Sequence, residues 1–250
     1  MFNHTLFYLR EYLFPFGCGG CGEALVRPED AYYGLCGNCR AFLTASLDSE
    51  RRCEICGKPL ISEKEICLPC RARKENDDNI SNSRLLKLRA LFPYVGKFKA
   101  ILGAYKFGKS LGVGNFLAAS LGSAPEDFCP GADEETAWVP VPPRPGKIKK
   151  QGWDQIEYLA EFLERAHRRS KSSLSVCRCL KRLPSRSQKE LNREERGTNL
   201  KGRILCAKPP PQTAIIFDDV ITTGETLNAC AAALLEGGAS RVYGVCLFYD

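Results

Sequence analysis

"TAIIFDDVITTGETLNACAAALLEGGASRVYGVCLFY", residues 213–249, joins two apolar runs through two adjacent acids, a threonine-rich turn and a helix-length apolar stretch. "TAIIFDD" reads as a strand, "TLNACAAALLEGG" as a helix stopped by Gly237 and Gly238, and "RVYGVCLFY" as a second strand. Strands this apolar on both faces, joined through a helix, predict an α/β domain built on a parallel sheet covered on both sides. Ligands of such sheets sit at the carboxyl ends of strands, where "FDDVITTGET" falls.

The turn opens a helix, so the amides of residues 222–226 face outward where the helix dipole favours an anion. Gly224 allows close backbone approach, and the hydroxyls of Thr222, Thr223 and Thr226 add donors. Asp218 and Asp219 would repel a phosphate but suit hydroxyl groups a few ångströms away. Phosphate plus vicinal hydroxyls is a ribose 5-phosphate. The plainer alternative is that the acids end a strand and Thr222 caps a helix. No G-x-x-x-x-G-K-[ST] is present, so a P-loop is excluded.

Upstream, "DQIEYLAEFLERAHRR" places Ile156, Leu159, Ala160, Leu163 and Ala166 on one face of a helix starting near Asp154. "AWVPVP" (137–142) and "SLSVCRCL" read as strands, and "FKAILGAYKFGKSLGVGNFLAASLG" as two short helices interrupted near Gly108. Residues 181–203 are almost wholly polar, as lids or disordered loops are. The net charge of +7 is concentrated: residues 144–208 carry 18 Lys/Arg against 7 Asp/Glu, whereas residues 1–80 carry 10 against 12. Such a basic stretch attracts polyanions, either phosphorylated small molecules or nucleic acid.

Eight of the fourteen cysteines form four C-x-x-C pairs: Cys18/Cys21, Cys36/Cys39, Cys53/Cys56 and Cys67/Cys70. Glycine follows the second cysteine in "CGGCGEAL" and "CEICGKPL", and each such pair is answered by another shortly downstream. Two structural Zn²⁺ sites follow, with iron–sulfur ligation the alternative. Sequential pairing, Cys18/Cys21/Cys36/Cys39 and Cys53/Cys56/Cys67/Cys70, needs the shortest loops. The segment has few large apolar residues, so the metal would supply folding energy. The other six cysteines read as small core residues.

The polar run at 71–83 marks a linker, giving a cysteine-rich unit over 1–83 and an α/β domain over 84–250. "MFNHTLFYLREYLFPF" lacks a basic start and a cleavage site and reads as an amphipathic helix rather than an export signal. No run approaches the roughly 18 apolar residues of a membrane span. Metal-bound thiolates and no export signal suit a reducing cytoplasm. His4 and His167 have no partner at ligand or triad spacing and read as surface residues.

"IIFDDVITTGETL" resembles the phosphoribosyl pyrophosphate signature of the type I phosphoribosyltransferases. By that resemblance Asp218 and Asp219 would hold ribose hydroxyls, and Thr222, Thr223, Gly224, Glu225 and Thr226 would cradle the 5-phosphate. The whole chain is similar to one branch, the ComF/GntX family, in which a double zinc ribbon precedes a transferase-like domain. "YVGKFKAILGAYKFGKS" resembles its Y-x-G block ending in Lys-Phe, here Lys106 and Phe107. "VPVPPRPGKIKKQGWDQ" resembles its V-P-V-P turn followed by R-G-F-N-Q, with Gln151, Trp153 and Asp154 departing and Gly152 and Gln155 kept. "RLPSRSQKELNREERGTNLKG" is similar to its polar loop. The resemblance implies that Pro140, Val141 and Pro142 form a pyrophosphate loop, and that Lys147, Lys149, Lys150 and Arg182 offset a diphosphate accompanied by Mg²⁺. It also implies an association with competence and the handling of imported DNA. Two functions remain open: a phosphoribosyltransferase, or a non-enzymatic sensor of phosphoribosyl ligands that docks single-stranded DNA or a competence-machinery protein. The acceptor is not legible, and no side chain is identifiable as a general base.

Overall fold

The computed structural model describes residues 17–47, 51–60, 62–68, 70–72, 84–129, 131–170, 174–184 and 203–250. The N-terminal helix read over 1–16, most of the linker (73–83) and the centre of the polar loop (185–202) lie outside these residues. In chain order the elements are α1 (Pro28–Tyr33), α2 (Gly37–Ala45), β1 (Lys87–Pro93), α3 (Gly96–Lys106), α4 (Leu111–Ser123), α5 (Pro125–Phe128) and β2 (Thr136–Pro140). There follow α6 (Lys147–Gln151), α7 (Gln155–Arg169), β3 (Ser175–Val176), β4 (Leu180–Arg182), β5 (Ile204–Cys206), β6 (Thr213–Ile221), α8 (Glu225–Glu236) and β7 (Arg241–Tyr249). Among the described residues no helix is long and apolar enough to cross a membrane.

Five strands form a sheet in the order β1-β7-β6-β2-β3, with every pairing parallel. The two-residue period of a strand divides β6 between two cores. Ile215 and Phe217 face one core with Ile156, Leu159 and Leu163 of α7 and Leu117 of α4. Ala214 and Ile216 face the other, with Leu227, Cys230 and Leu234 of α8. Helices therefore cover both faces, as the apolar strands required. Each fully buried large apolar side chain, such as Phe217 or Leu234, contributes about 2 kcal/mol.

Two strands differ from their sequence reading. β2 stops at Pro140: Val141 donates its amide to the Phe217 carbonyl at 3.1 Å, and the prolines that follow have no N–H to continue the ladder. "SLSVCRCL" pairs with β2 over only Ser175 and Val176. The chain then joins the separate antiparallel pair β4–β5, which sinks Cys179 and Ile204 into the α8-side core.

The cysteine-rich segment contains the same knuckle twice. Cys18 N donates to Glu23 O at 2.7 Å and Gly22 N to Cys18 O at 2.8 Å; Cys53 N to Lys58 O and Gly57 N to Cys53 O repeat this, both at 2.8 Å. The glycines take positive φ, 80° at Gly22 and 67° at Gly57, where a side chain would be strained. The first knuckle shares a core with the α/β domain, since Cys18, Cys36, Cys39 and Leu43 cluster with Ile101, Leu102, Tyr105 and Val113. The second covers the outer edge of β1. A Cβ at Gly57 would lie 2.0 Å from Leu88 O, and the Arg52 guanidinium donates to Ala90 O at 2.7 Å and to Gly57 O at 3.1 Å. An edge strand needs such cover against pairing with other chains.

Candidate functional site

The crossover from β6 through α8 leads to β7 on one side, while that from β2 through α7 leads to β3 on the other. α7 and α8 lie on opposite faces, so the carboxyl ends of β2 and β6 part into a crevice at a topological switch point. A cleft of about 1030 Å³ opens there. It is lined by Asp218 and Asp219 in the last pleats of β6, by Thr222, Thr223, Glu225 and Thr226 beyond it, by Val141 and Pro142 after β2, and by Lys150 and Arg182. Gly224, at φ 80°, supplies the N-cap turn of α8 rather than the lining. Pro140 ends β2 and faces a smaller neighbouring pocket with Arg178 and Leu180. Of the basic cluster Lys147 and Lys150 line the cleft and Lys149 does not.

The structure adds Lys106, Arg144, Asp154 and Gln155 to the site. Asp219 Oδ2 receives the Lys106 ammonium at 2.7 Å and the Gln155 side-chain amide at 2.7 Å. The Gln155 side-chain carbonyl accepts from Lys147 Nζ, which also contacts Asp154 Oδ2 at 2.6 Å. Asp154 caps α7, its Oδ1 accepting from Ile156 N at 2.9 Å and Glu157 N at 3.0 Å. The Tyr105 hydroxyl donates to the Gln155 carbonyl. One continuous network thus fixes the carboxylate of Asp219, two lysines and the start of α7. Its sequence signals were the Lys106–Phe107 block and the retained Gln155; the pairing of Gln155 with Asp219 across 64 positions of chain had none.

Asp218 is held differently. Its Oδ1 accepts from the Asp219 amide at 2.8 Å, and no cation contacts it at ion-pair distance among the described residues. Burial first, then the neighbouring Asp219 charge, push its carboxyl up from 3.8 to about 7. Arg182 is pulled down by burial and by the nearby Arg144 guanidinium. Five cations, Lys106, Arg144, Lys147, Lys150 and Arg182, face four acids, Asp154, Asp218, Asp219 and Glu225. With Asp154 and Asp219 each meeting a lysine, Lys150 and Arg182 make no ion pair among the described residues and can offset a phosphorylated ligand.

The cysteines gather as two tetrads, Cys18/Cys21/Cys36/Cys39 and Cys53/Cys56/Cys67/Cys70, with all sulfurs of each within 4.8 Å of one another. A Zn²⁺ at 2.3 Å from four sulfurs requires about 3.8 Å between them. The Cys21–Cys36 and Cys56–Cys67 separations are both 3.7 Å. Backbone amides of Cys36 and Cys67 point at Cys18 Sγ and Cys53 Sγ at 3.3 and 3.4 Å, orienting the ligands and favouring thiolate. Both tetrads fit structural Zn²⁺ with sequential pairing.

Residues 9–71 match the family model of the double zinc ribbon domain. Over 219 residues, 87% of this chain and 88% of the relative, the sequence is 26% identical to the competence protein ComFC of Streptococcus pneumoniae. It is 27% identical to the competence protein ComFC of Bacillus subtilis over 218 residues, 86% of this chain and 82% of that one.

Proposed function

We propose that this chain, which belongs to the ComF family, holds a ribose 5-phosphate group, free or within phosphoribosyl pyrophosphate, in the crevice between β2 and β6. One observation carries the reading: two acids and the N-terminal turn of α8 lie side by side at the switch point of a parallel sheet. The 5-phosphate sits on the amides and hydroxyls of residues 222–226, where the helix dipole offsets its charge. Asp218 accepts from the ribose hydroxyls, and Asp219 serves as the negative scaffold that fixes Lys106 and Gln155. Arg144, Lys147, Lys150 and Arg182 offset a diphosphate entering past Val141 and Pro142.

Mg²⁺ bound to that diphosphate would neutralise its charge as it departs. Because the carboxylates of Asp154 and Asp219 already meet lysines at 2.6 and 2.7 Å, the protein would reach such an ion through water. In turnover, a nucleophile forms a bond to the anomeric carbon as the bond to pyrophosphate breaks. Ionised Asp218 supports the positive charge that develops on the ring, and the surrounding cations receive the leaving group.

In keeping with the names of its relatives, the protein serves competence; a place in the cytoplasm and the handling of imported DNA follow from the sequence resemblance. A second reading, a sensor that binds the same ligand without turnover and docks single-stranded DNA or a competence-machinery protein, is supported by the basic stretch 144–208, with 18 Lys/Arg against 7 Asp/Glu. Calorimetric titration with phosphoribosyl pyrophosphate and Mg²⁺ tests the binding claim; the Asp218→Ala/Asp219→Ala protein should lose affinity heavily, and equal affinity would remove the acids from the site. Pyrophosphate release with candidate amines separates the enzyme from the sensor.

A further inference from the structure

Six cysteines lie outside the two tetrads, and their surroundings divide them. Cys129, Cys230 and Cys246 are buried, and burial pushes each thiol up, away from the reactive thiolate form. Cys177, Cys179 and Cys206 instead gather against the α8-side core, where the chain leaves β3 for the β4–β5 pair. The strand that follows Cys179, β4, carries Arg182 to the cleft wall.

The backbone puts two of these sulfurs on one side. Cys177 N donates to Trp138 O at 2.8 Å and Cys179 O accepts from Ala207 N at 2.7 Å, so inter-strand bonds hold both ends of the step. Side chains alternate along such a chain. Val176 packs on the α7-side core and Arg178 reaches Glu157 of α7 at 2.5 Å, while Cys177 and Cys179 both turn to the α8 side. A two-residue extended step separates Cα atoms by about 6.6 Å, inside the span a disulfide bridges. Cys179 is fully buried and Cys177 half-buried. The Cys179 S–H donates to the Cys177 sulfur, which with the Lys208 charge brings the Cys177 thiol down from 9.0 to about 7 against its burial. The same contact, then burial, pushes Cys179 well up. One sulfur is thus accessible and thiolate-forming, and its neighbour is a protonated thiol directly behind it. Cys206 donates to the Lys208 carbonyl at 3.1 Å, and among the described residues only the two tetrads bring three or more metal-ligating atoms within 4.8 Å of one another.

We infer that Cys177 and Cys179 form a reversible dithiol site whose oxidant is hydrogen peroxide, Cys177 being the attacking sulfur and Cys179 the resolving one. The Cys177 thiolate attacks one peroxide oxygen: an S–O bond forms, the O–O bond breaks, and the departing hydroxide takes a proton from solvent to leave as water. The Cys179 sulfur then attacks the Cys177 sulfur: an S–S bond forms, the S–O bond breaks, and the hydroxide takes the Cys179 proton to leave as a second water. Two thiols lose two electrons and one peroxide becomes two waters. Exchange with an external dithiol restores both thiols.

The test is peptide mapping by mass spectrometry on the full zinc-loaded chain, treated with a small excess of hydrogen peroxide, blocked with iodoacetamide and cut with trypsin without reduction. Trypsin cuts after Lys171, Arg178 and Lys181, so the two cysteines fall on separate peptides, 172–178 and 179–181. The expected product is these two peptides joined by a disulfide, lost on treatment with dithiothreitol. Cys206→Ser should form the same bridge. Cys179→Ser should carry a sulfenic acid on Cys177 that dimedone captures, and Cys177→Ser should give neither product. A bridge from Cys179 to Cys206, or oxidation confined to the tetrads with Cys177 and Cys179 both alkylated, overturns the assignment. The wild-type map alone decides this if Cys179→Ser fails to fold.

Discussion

Replacing Lys106 by methionine keeps the aliphatic stem and removes the ammonium that faces Asp219 at 2.7 Å. Losing one partner of a fully buried pair costs about 3–5 kcal/mol, and of an exposed pair about 1 kcal/mol or less. The Asp219 side chain is 9% exposed and that of Lys106 31%, so water screens one end of the pair and reaches the other hardly at all. The Gln155 amide remains on the same oxygen. A loss of about 2 kcal/mol follows from this intermediate position. For a chain of this size that lowers the midpoint of thermal unfolding by about 4–8 °C. Differential scanning calorimetry of the zinc-loaded protein measures it. The companion Lys106→Met/Asp219→Asn protein should recover part of the loss, because the stranded carboxylate is gone, giving a coupling energy of about 1 kcal/mol or more in the double-mutant cycle. A shift within about 1 °C for Lys106→Met, or strict additivity in the cycle, would refute the network as the device that holds the site.

Four further outcomes follow from the same geometry. Ribose hydroxyls donate to the ionised form of Asp218, whose carboxyl the empty fold raises to about 7, so affinity for ribose 5-phosphate should rise as pH climbs through 7. The same proton is bound more tightly by the fold than by the unfolded chain, so this group costs stability as pH rises from 3.8 toward 7. Calorimetry of wild type against Asp218→Asn checks both, the variant losing this group's share of each slope. Zinc chelation should cut the stability of the α/β domain as well as the ribbon, because Cys18, Cys36 and Cys39 share a core with α3 and α4; a domain melting unchanged without metal would contradict that. Gly57→Ala forces a Cβ to within 2.0 Å of Leu88 O at a φ of 67°, so a loss of about 3 kcal/mol and exposure of the β1 edge are expected, the latter read by hydrogen exchange at Ala90 and Phe92.

Much of this arrangement is local and therefore legible in sequence. The apolar runs of β6 and β7, the glycine stop after α8, the face of α7 and the twice-repeated cysteine knuckle each depend on residues near one another in the chain. The edge strand β1 buries Leu88 and Ala90 in one core and Leu91 and Phe92 in the other, but the cover of its open edge by Gly57 and Arg52 of the second knuckle has no signal in its own pattern. α6 is only five residues long between two left-handed glycines, too short for any periodicity. In the site, the acids and the threonine turn were legible because one strand end and one helix start carry them together. Lys106, Asp154 and Gln155 reach Asp219 or its partners only through the tertiary packing of α3 and α7, so spacing carries no record of their pairing.

The central claim is most directly tested by a crystal structure of the protein soaked with ribose 5-phosphate. The expected result is a phosphate within about 3 Å of the amides of residues 222–226, with the sugar hydroxyls turned toward Asp218. A ligand bound elsewhere, with that crevice closed by side chains of its own walls, would contradict the account.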